Sequence, residues 1–166
     1  MGATVGTTAS EAGRELVQSL GADEVINYKT DKFEDILGNY DAIFDTLGGT
    51  ALEKSFDVLK NGGKNVSISG LPNARFAKER GLGFLKTMLL SVVSRKLTTL
   101  EKKHNVQYTY LFMKPSGEQL RIIADFIESG KIEPVIDRVF SFEDAQKAIE
   151  YSESGRARGK IILKIR

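Results

Sequence analysis

One stretch decides the fold of this chain: Tyr40-Asp-Ala-Ile-Phe-Asp-Thr-Leu-Gly-Gly-Thr-Ala-Leu-Glu-Lys-Ser-Phe-Asp-Val-Leu-Lys-Asn-Gly-Gly-Lys-Asn-Val-Ser-Ile-Ser69. It opens and closes with short runs of apolar and β-branched residues, which are typical of strands. Between them, Thr50 and Glu53 match the capping box that begins many helices, and apolar residues then recur at helical spacing. The glycines of Asn61-Gly-Gly63 are expected to end this helix. The stretch therefore predicts a strand over Tyr40–Asp45, a helix, and a second strand over Asn65–Ser69 in succession.

The same alternation continues on both sides of this stretch. Upstream, the runs Ala3–Thr8 and Glu24–Asn27 are typical of strands, and a helical pattern that ends in glycine follows each of them. Downstream, the predicted strands are Val106–Met113, Val135–Phe140 and Lys160–Ile165. Short strands that alternate with helices favour an α/β fold, in which helices cover both faces of a parallel sheet. An antiparallel α+β domain is the alternative.

The segment 72–104 interrupts the alternation. Its residues 81–100 are rich in leucine, valine and other apolar side chains, which predicts a helical insert. Lys86, Arg95 and Lys96 lie within this run, so it is too short and too charged to span a bilayer. We expect the insert to pack over an edge of the sheet; the alternative is that it lines the entrance to a substrate site.

Composition excludes several classes of function. The chain has 166 residues, of which 41% are hydrophobic and 28% charged, as expected for a folded globular protein. Its 24 basic and 22 acidic residues are interspersed, so there is no basic stripe for nucleic acid. There is no cysteine, and His104 alone cannot build a zinc site. No secretory leader pattern is visible at the start, which makes a cytoplasmic location the expectation.

Three segments carry a resemblance to a known family: Gly21-Ala-Asp-Glu-Val-Ile-Asn-Tyr28, the run Tyr40–Gly49, and the tail from Gly130 to Ile165. Together they resemble the medium-chain dehydrogenase/reductase superfamily, in particular its quinone-oxidoreductase-like, zinc-independent branch. The resemblance is collinear over essentially the whole chain. It implies a Rossmann-like, doubly wound parallel sheet, whose strands follow the order 3-2-1-4-5-6.

In that comparison Ala3–Thr8 corresponds to the second strand of the sheet, so the first strand and its glycine-rich turn are expected to be absent. Residues 1–131 would then form an incomplete NADP-binding domain that contains the helical insert. Residues 132–166 would form a strand–helix–strand segment that returns to the catalytic domain in the family. We expect Ala3–Thr8 to pair directly with Tyr40–Asp45, or another strand or protomer to fill the gap between them.

The missing turn also bears on affinity. The helix N-terminus after the first strand holds the cofactor pyrophosphate in such folds. Without it, the chain is expected to bind a dinucleotide weakly or not at all.

The resemblance assigns three residues to the adenosine end of the cofactor, which it implies is NADP. Ser10 would donate a hydrogen bond to the 2′-phosphate, Arg14 would supply positive charge, and Tyr28 would lie beside them. Glu11 is an unfavourable neighbour for a phosphate. The alternative is that Ser10 only caps a helix while Arg14 and Tyr28 are ordinary surface residues.

Further cofactor contacts are expected where the next three strands end, because ligands gather at the carboxyl ends of parallel strands. By resemblance these contacts are Thr46, Leu47, Gly48, Gly70, Leu111 and Phe112. The alternatives are that the run after residue 45 is only a tight turn and that Phe112 belongs to the core.

The implied activity is hydride transfer from NADP(H) to a small-molecule quinone, enone or carbonyl compound, with no catalytic residue identifiable and no activity expected from the isolated chain. One alternative is a non-catalytic dinucleotide-binding or dimerisation module, and others are part of a zinc alcohol dehydrogenase or of an enoyl reductase. A homodimer through the edge strand 107–112 is expected. No nucleic acid, membrane or metal is expected as a partner.

Overall fold

The computed structural model describes residues 2–165, and the chain divides after Met113 into two compact units. The first unit alternates strands and helices, with the insert before its last strand. Its elements are β1 (Gly6–Ala9), α1 (Arg14–Ser19), β2 (Glu24–Asn27), α2 (Phe33–Ile36), β3 (Tyr40–Asp45), α3 (Gly49–Ser55), β4 (Leu59–Ser67), α4 (Ala74–Glu79), α5 (Phe84–Val93), α6 (Arg95–His104) and β5 (Gln107–Tyr110).

The second unit is smaller. It consists of α7 (Gly117–Glu128), β6 (Ile136–Ser141), α8 (Ala145–Glu153) and β7 (Lys160–Lys164). The hydroxyl of Ser116 accepts a hydrogen bond of 3.2 Å from the amide of Gln119 and so caps α7. Strand β7 pairs with β6, and α8 buries Ala148.

Every strand pair among residues 2–165 is parallel, which confirms the α/β fold and excludes the antiparallel alternative. In the first unit, β1 pairs with β2, and β3, β4 and β5 form a separate sheet in that order. These two groups correspond to positions 3-2 and 4-5-6 of the Rossmann order, so the strand missing from the described residues is the central one.

Direct pairing of β1 with β3 does not occur in the described residues, so the expectation of direct pairing was wrong. That another strand or protomer fills the gap stays a prediction. The side chain of Tyr40, at the start of β3, lies against β1 instead. A Cβ atom placed on Gly6 of β1 would overlap the Tyr40 hydroxyl, so a phenol ring rather than a backbone ladder joins the two strands. The Tyr40 hydroxyl is buried without a hydrogen-bond partner, and burial followed by the charge of Glu24 raises its pKa.

Strand β4 begins six residues earlier than its expected start at Asn65, and no helix end occurs at Asn61-Gly-Gly63. The β3–β4 register jumps from Tyr40 opposite Leu59 to Ala42 opposite Lys64, which leaves the glycines in an irregularity of the strand. Gly62 has a φ of +80°, which suits such a bulge. The glycines therefore bend a strand rather than end a helix.

The Thr50–Glu53 capping box was also wrong. Helix α3 begins at Gly49, its N-cap is Gly48, and no side chain caps it. A short 3₁₀ turn, Phe56–Val58, continues α3 into β4.

The core of the first unit lies against the three-stranded sheet. The buried cluster comes from α3 and its 3₁₀ continuation, β4, α6 and the β5 region, and consists of Leu52, Phe56, Leu59, Leu97, Val106 and Tyr108. The insert 72–104 is helical, as predicted. Its helix α6 contributes Leu97 to the core, whereas α5 has no buried residue.

Candidate functional site

The carboxyl ends of β3, β4 and β5 meet at one edge of the three-stranded sheet, because the strands are parallel. This edge, which we call the carboxyl edge, gathers the six residues predicted as further cofactor contacts. Thr46, Leu47 and Gly48 follow β3, Gly70 follows β4 with two intervening residues, and Leu111 and Phe112 follow β5. Such an edge is where open α/β sheets bind ligands.

A buried carboxylate, Asp45, organises the first turn of this edge. Its Oδ1 atom accepts hydrogen bonds from the amides of Leu47 at 3.2 Å and Gly48 at 3.0 Å. Its Oδ2 atom accepts a 2.5 Å hydrogen bond from the hydroxyl of Ser67, the last residue of β4. Because Asp45 is only 7% exposed, these bonds form out of water, where they strongly define geometry.

Ser67 extends the same network to the second turn. Its Oγ atom also accepts hydrogen bonds from the amides of Ser69 at 3.2 Å and Gly70 at 2.7 Å. The hydroxyl of Ser69 in turn donates to the carbonyl of Thr46 at 2.7 Å. The Asp45–Ser67 pair thus holds the turns after β3 and β4 in one fixed arrangement. Sequence analysis missed both residues, although a polar residue ending each of two adjacent apolar strands is a usable signal.

The two glycines are required by close packing within the turns. Gly48 has a φ of +70°, and a Cβ atom there would overlap the backbone carbonyl of Ser69. A Cβ atom on Gly70 would overlap the Tyr108 hydroxyl and lie 2.7 Å from Leu52. Gly48 is also buried, so it shapes the turn rather than offering an open surface.

The side chain of Tyr108 in β5 packs against the turn after β4. Its ring is fully buried, and its hydroxyl donates to the carbonyl of Leu71 at 3.0 Å. Burial raises the pKa of Tyr108 to about 12, and the neighbouring Ser67 hydroxyl acts in the opposite direction. The phenol is therefore neutral at physiological pH and acts as a structural donor.

The exposed part of the carboxyl edge is apolar. Leu47 is 72% exposed, Leu111 49% and Phe112 53%, so Phe112 is not a core residue. The Phe112 ring lies beside Phe76 and under the guanidinium of Arg80, whose Cζ is 5.2 Å from the ring centroid. These side chains can cover an apolar ligand face and exclude water from it.

Ser10, Arg14 and Tyr28 lie at the other sheet, just past the carboxyl ends of β1 and β2. The Arg14 guanidinium donates through Nη1 to the carbonyl of Val25 at 3.0 Å, and its Nε lies 3.3 Å from a carboxylate oxygen of Glu11. Arg14 is thus already partly neutralised. Tyr28 is 58% exposed, and its hydroxyl is available to a ligand.

Ser10 occupies the N-cap position of the turn that leads into α1, but its side chain makes no capping hydrogen bond. The Ser10 side chain therefore does not act as a helix cap in this structure.

The described residues provide no metal site. Among residues 2–165 there is no group of three or more histidine, cysteine, aspartate or glutamate side chains that could hold a metal ion. These residues do not fit a zinc ion.

Comparison with known proteins gives the family. A family model described as zinc-binding dehydrogenase matches residues 20–163. The mitochondrial NAD(P)H oxidoreductase RTN4IP1 of Danio rerio is 33% identical over 99% of this chain and 43% of its own length. The chloroplastic NADPH-dependent alkenal/one oxidoreductase of Arabidopsis thaliana is 31% identical over 96% of this chain and 33% of its own length.

A solved structure supports the same assignment. The quinone oxidoreductase of Coxiella burnetii superposes with a TM-score of 0.73 at 27% identity, covering 98% of this chain and 45% of that protein. The chain belongs to the medium-chain dehydrogenase/reductase superfamily, as its resemblance predicted. It spans less than half the length of these relatives.

The expectation of a cytoplasmic location was wrong. The RTN4IP1 relatives of Danio rerio and Mus musculus are named as mitochondrial, as is an Arthroderma benhamiae oxidoreductase, and these names point away from the cytoplasm.

No helix within residues 2–165 combines the length and the apolar character that a membrane-spanning helix needs.

Proposed function

We propose that this chain is the cofactor-binding portion of an NADP(H)-dependent oxidoreductase that transfers hydride to a quinone, enone or related carbonyl compound. The observation that carries the proposal is the carboxyl edge, where the buried Asp45–Ser67 pair fixes two turns at the ends of adjacent parallel strands. The names of the relatives, which include an alkenal/one oxidoreductase and a quinone oxidoreductase, agree with it.

The residues of this chain would position the cofactor rather than react. The bound nicotinamide supplies the hydride, so the protein must hold the ring in place and keep water away. Leu47, Leu111 and Phe112 offer the exposed apolar contacts for that purpose. Thr46 contributes a backbone carbonyl that Ser69 already orients.

The preference for NADP over NAD would be set at the other sheet. Ser10 and Tyr28 supply neutral hydroxyl donors for a 2′-phosphate, and Arg14 supplies the positive charge. Glu11 opposes this preference, because its carboxylate accepts from both Arg14 and the Asn27 amide, each at 3.3 Å. A phosphate would have to draw the Arg14 guanidinium away from Glu11.

A homodimer through strand 107–112 is also proposed, in a narrower form. The backbone amide of Leu111 donates to β4, and the backbone groups of successive residues in a strand point to opposite sides. The backbone groups of β5 that point away from β4 therefore belong to Tyr108 and Tyr110. The amide of Tyr108 already donates to Glu101, and its carbonyl accepts from Arg75. Pairing across a two-fold axis would therefore use Tyr110 and Phe112, not the whole strand.

A fragment titration tests the cofactor assignment. Adenosine 2′,5′-bisphosphate and adenosine 5′-monophosphate are added separately while amide NMR signals are followed. We expect larger shifts with the bisphosphate, concentrated at Ser10, Arg14 and Tyr28. Equal shifts with the two nucleotides would contradict the NADP preference, and shifts confined to other residues would contradict the site.

A further inference from the structure

Helix α5 exposes the side that a surface helix normally buries. Surface helices direct their apolar side chains inward and polar ones outward. In α5 the half-buried side contains Thr87 and Leu90, while six large apolar side chains point into solvent. These are Phe84 at 80% exposure, Leu85 at 79%, Met88 at 57%, Leu89 at 61%, Val92 at 63% and Val93 at 46%.

The six side chains form one continuous surface. Residues four apart lie above one another on a helix, so Phe84, Met88 and Val92 make one row. Leu85, Leu89 and Val93 make a second row immediately beside it. The outer half of α5 is thus a two-row apolar face, too continuous to be a scatter of single exposed residues.

The charges on α5 and on the sequence that follows it to Leu100 are of one sign. From Leu82 to Leu100 the sequence contains Lys86, Arg95 and Lys96 and no acidic residue. Lys96 pairs with Glu53 at 2.6 Å, whereas Lys86 and Arg95 form no ion pair within residues 2–165. An apolar helix face with unpaired cations on it and just after it in the sequence complements a surface that is both apolar and anionic.

A second exposed apolar face in the chain has the opposite charge. Helix α7 exposes Leu120 at 67%, Ile123 at 46% and Ile127 at 40%. Its charged residues are Glu118, Arg121, Asp125 and Glu128, so acids outnumber bases. An anionic surface would repel this face, and charge therefore distinguishes α5 from α7 as a contact.

We propose that α5 lies flat on an anionic lipid surface, with its two apolar rows at the boundary between headgroups and acyl chains. The contact is peripheral, since a helix of 10 residues is about 15 Å long and the hydrocarbon core is about 30 Å thick. Lys86 and Arg95 face the headgroups. This revises the sequence-based expectation that no membrane is a partner, and it does not depend on the proposed reductase chemistry.

Co-sedimentation with vesicles tests the proposal. The chain is mixed with large vesicles of phosphatidylcholine alone, or of phosphatidylcholine with phosphatidylglycerol. We expect binding to the anionic vesicles and little binding to the neutral ones. The double variant Leu85→Glu, Leu89→Glu abolishes binding. The matched variant Leu120→Glu, Ile123→Glu makes the same change on α7 and leaves binding intact. All four side chains are exposed, and circular dichroism checks that each variant is folded.

The charge contribution is tested by the double variant Lys86→Gln, Arg95→Gln. Each cation near an anionic surface contributes about fivefold to the partition coefficient, so losing two lowers it by about 25-fold. The proposal is overturned if the chain binds neutral and anionic vesicles equally, if the α5 and α7 variants lose binding equally, or if the chain binds neither kind of vesicle. It is also overturned by self-association in the absence of lipid that Leu85→Glu, Leu89→Glu abolishes, because the face is then an interface between copies.

Discussion

Replacing Asp45 with alanine should loosen the carboxyl edge and destabilise the first unit. The substitution removes the acceptor for two backbone amides and for the Ser67 hydroxyl. A hydrogen bond to a charged group is worth about 1.5–3 kcal/mol, and a buried donor left unpaired adds to the loss. Leu47 is exposed and its amide can turn to water, which leaves two buried donors. We therefore expect Asp45→Ala to lower the free energy of unfolding by about 3–5 kcal/mol.

Asparagine at position 45 keeps the shape of the side chain but removes its charge, so it separates the two contributions to stability. Its single acceptor oxygen can still serve the amides of Leu47 and Gly48, whereas its amino group faces Ser67. The Ser67 hydroxyl already accepts from the amides of Ser69 and Gly70, so its own hydrogen then lacks an acceptor. The expected cost of Asp45→Asn is about 1–2 kcal/mol.

The free energies of unfolding of the variants are measured by urea unfolding, with tyrosine fluorescence and circular dichroism as the two signals. The matched control is Asp41→Ala in the same strand, because the Asp41 side chain is 81% exposed and, within residues 2–165, forms an ion pair only with Lys60. This control should change the free energy of unfolding by less than about 0.5 kcal/mol. If Asp45→Ala is as mild as Asp41→Ala, the network does not hold the edge, and the reasoning is refuted.

Three further predictions concern separate parts of the chain. Gly70→Ala should lower the melting temperature, because the new Cβ would overlap Tyr108 and overpacking costs about 1–3 kcal/mol; Gly117→Ala, where nothing lies within 4 Å, is its control, and equal melting temperatures would contradict the packing argument. Glu11→Gln should strengthen binding of adenosine 2′,5′-bisphosphate by about two- to fivefold in an NMR titration, because Arg14 loses its ion-pair partner; weaker binding would count against Arg14 as the phosphate contact. Tyr151→Phe should raise the pKa of Asp137, which the 2.8 Å hydrogen bond from the Tyr151 hydroxyl and then the amide of Arg158 hold below its ordinary value. The folded-state pKa is depressed, so the stability this contact contributes is present above the ordinary pKa of 3.8 and lost as the pH falls through the folded value; a carboxyl NMR titration that shows no change would disprove the link.

Local sequence patterns were sufficient for most elements of the fold. The alternation of strands and helices predicts the seven strands observed in residues 2–165, at positions that overlap the observed ones. The errors arose where local patterns conflict with tertiary pairing. Asn61-Gly-Gly63 matches a helix end, but pairing of β4 with β3 extends the strand through it.

The site was less accessible from the sequence. The resemblance placed Thr46, Gly70 and Leu111 at one edge, which parallel topology then brings together. The Asp45–Ser67 contact joins residues 22 apart, so no short-range pattern contains it. The hydrogen bonds of Glu101 and Arg75 to the backbone of Tyr108 could not be predicted from short-range patterns either. They use the outward amide and carbonyl of Tyr108, so the proposed dimer contact is limited to the residues that follow it.

The central claim is that the carboxyl edge and the ends of β1 and β2 together bind NADPH. Titration of the chain with NADPH, followed by amide NMR signals, tests it most directly. The account predicts weak binding, with shifts at Leu47, Gly48 and Leu111 and simultaneously at Ser10 and Tyr28. Micromolar or tighter binding would contradict the expectation that affinity depends on a helix N-terminus outside these residues. Absence of shifts at both edges up to the highest attainable NADPH concentration would contradict the cofactor-binding role itself.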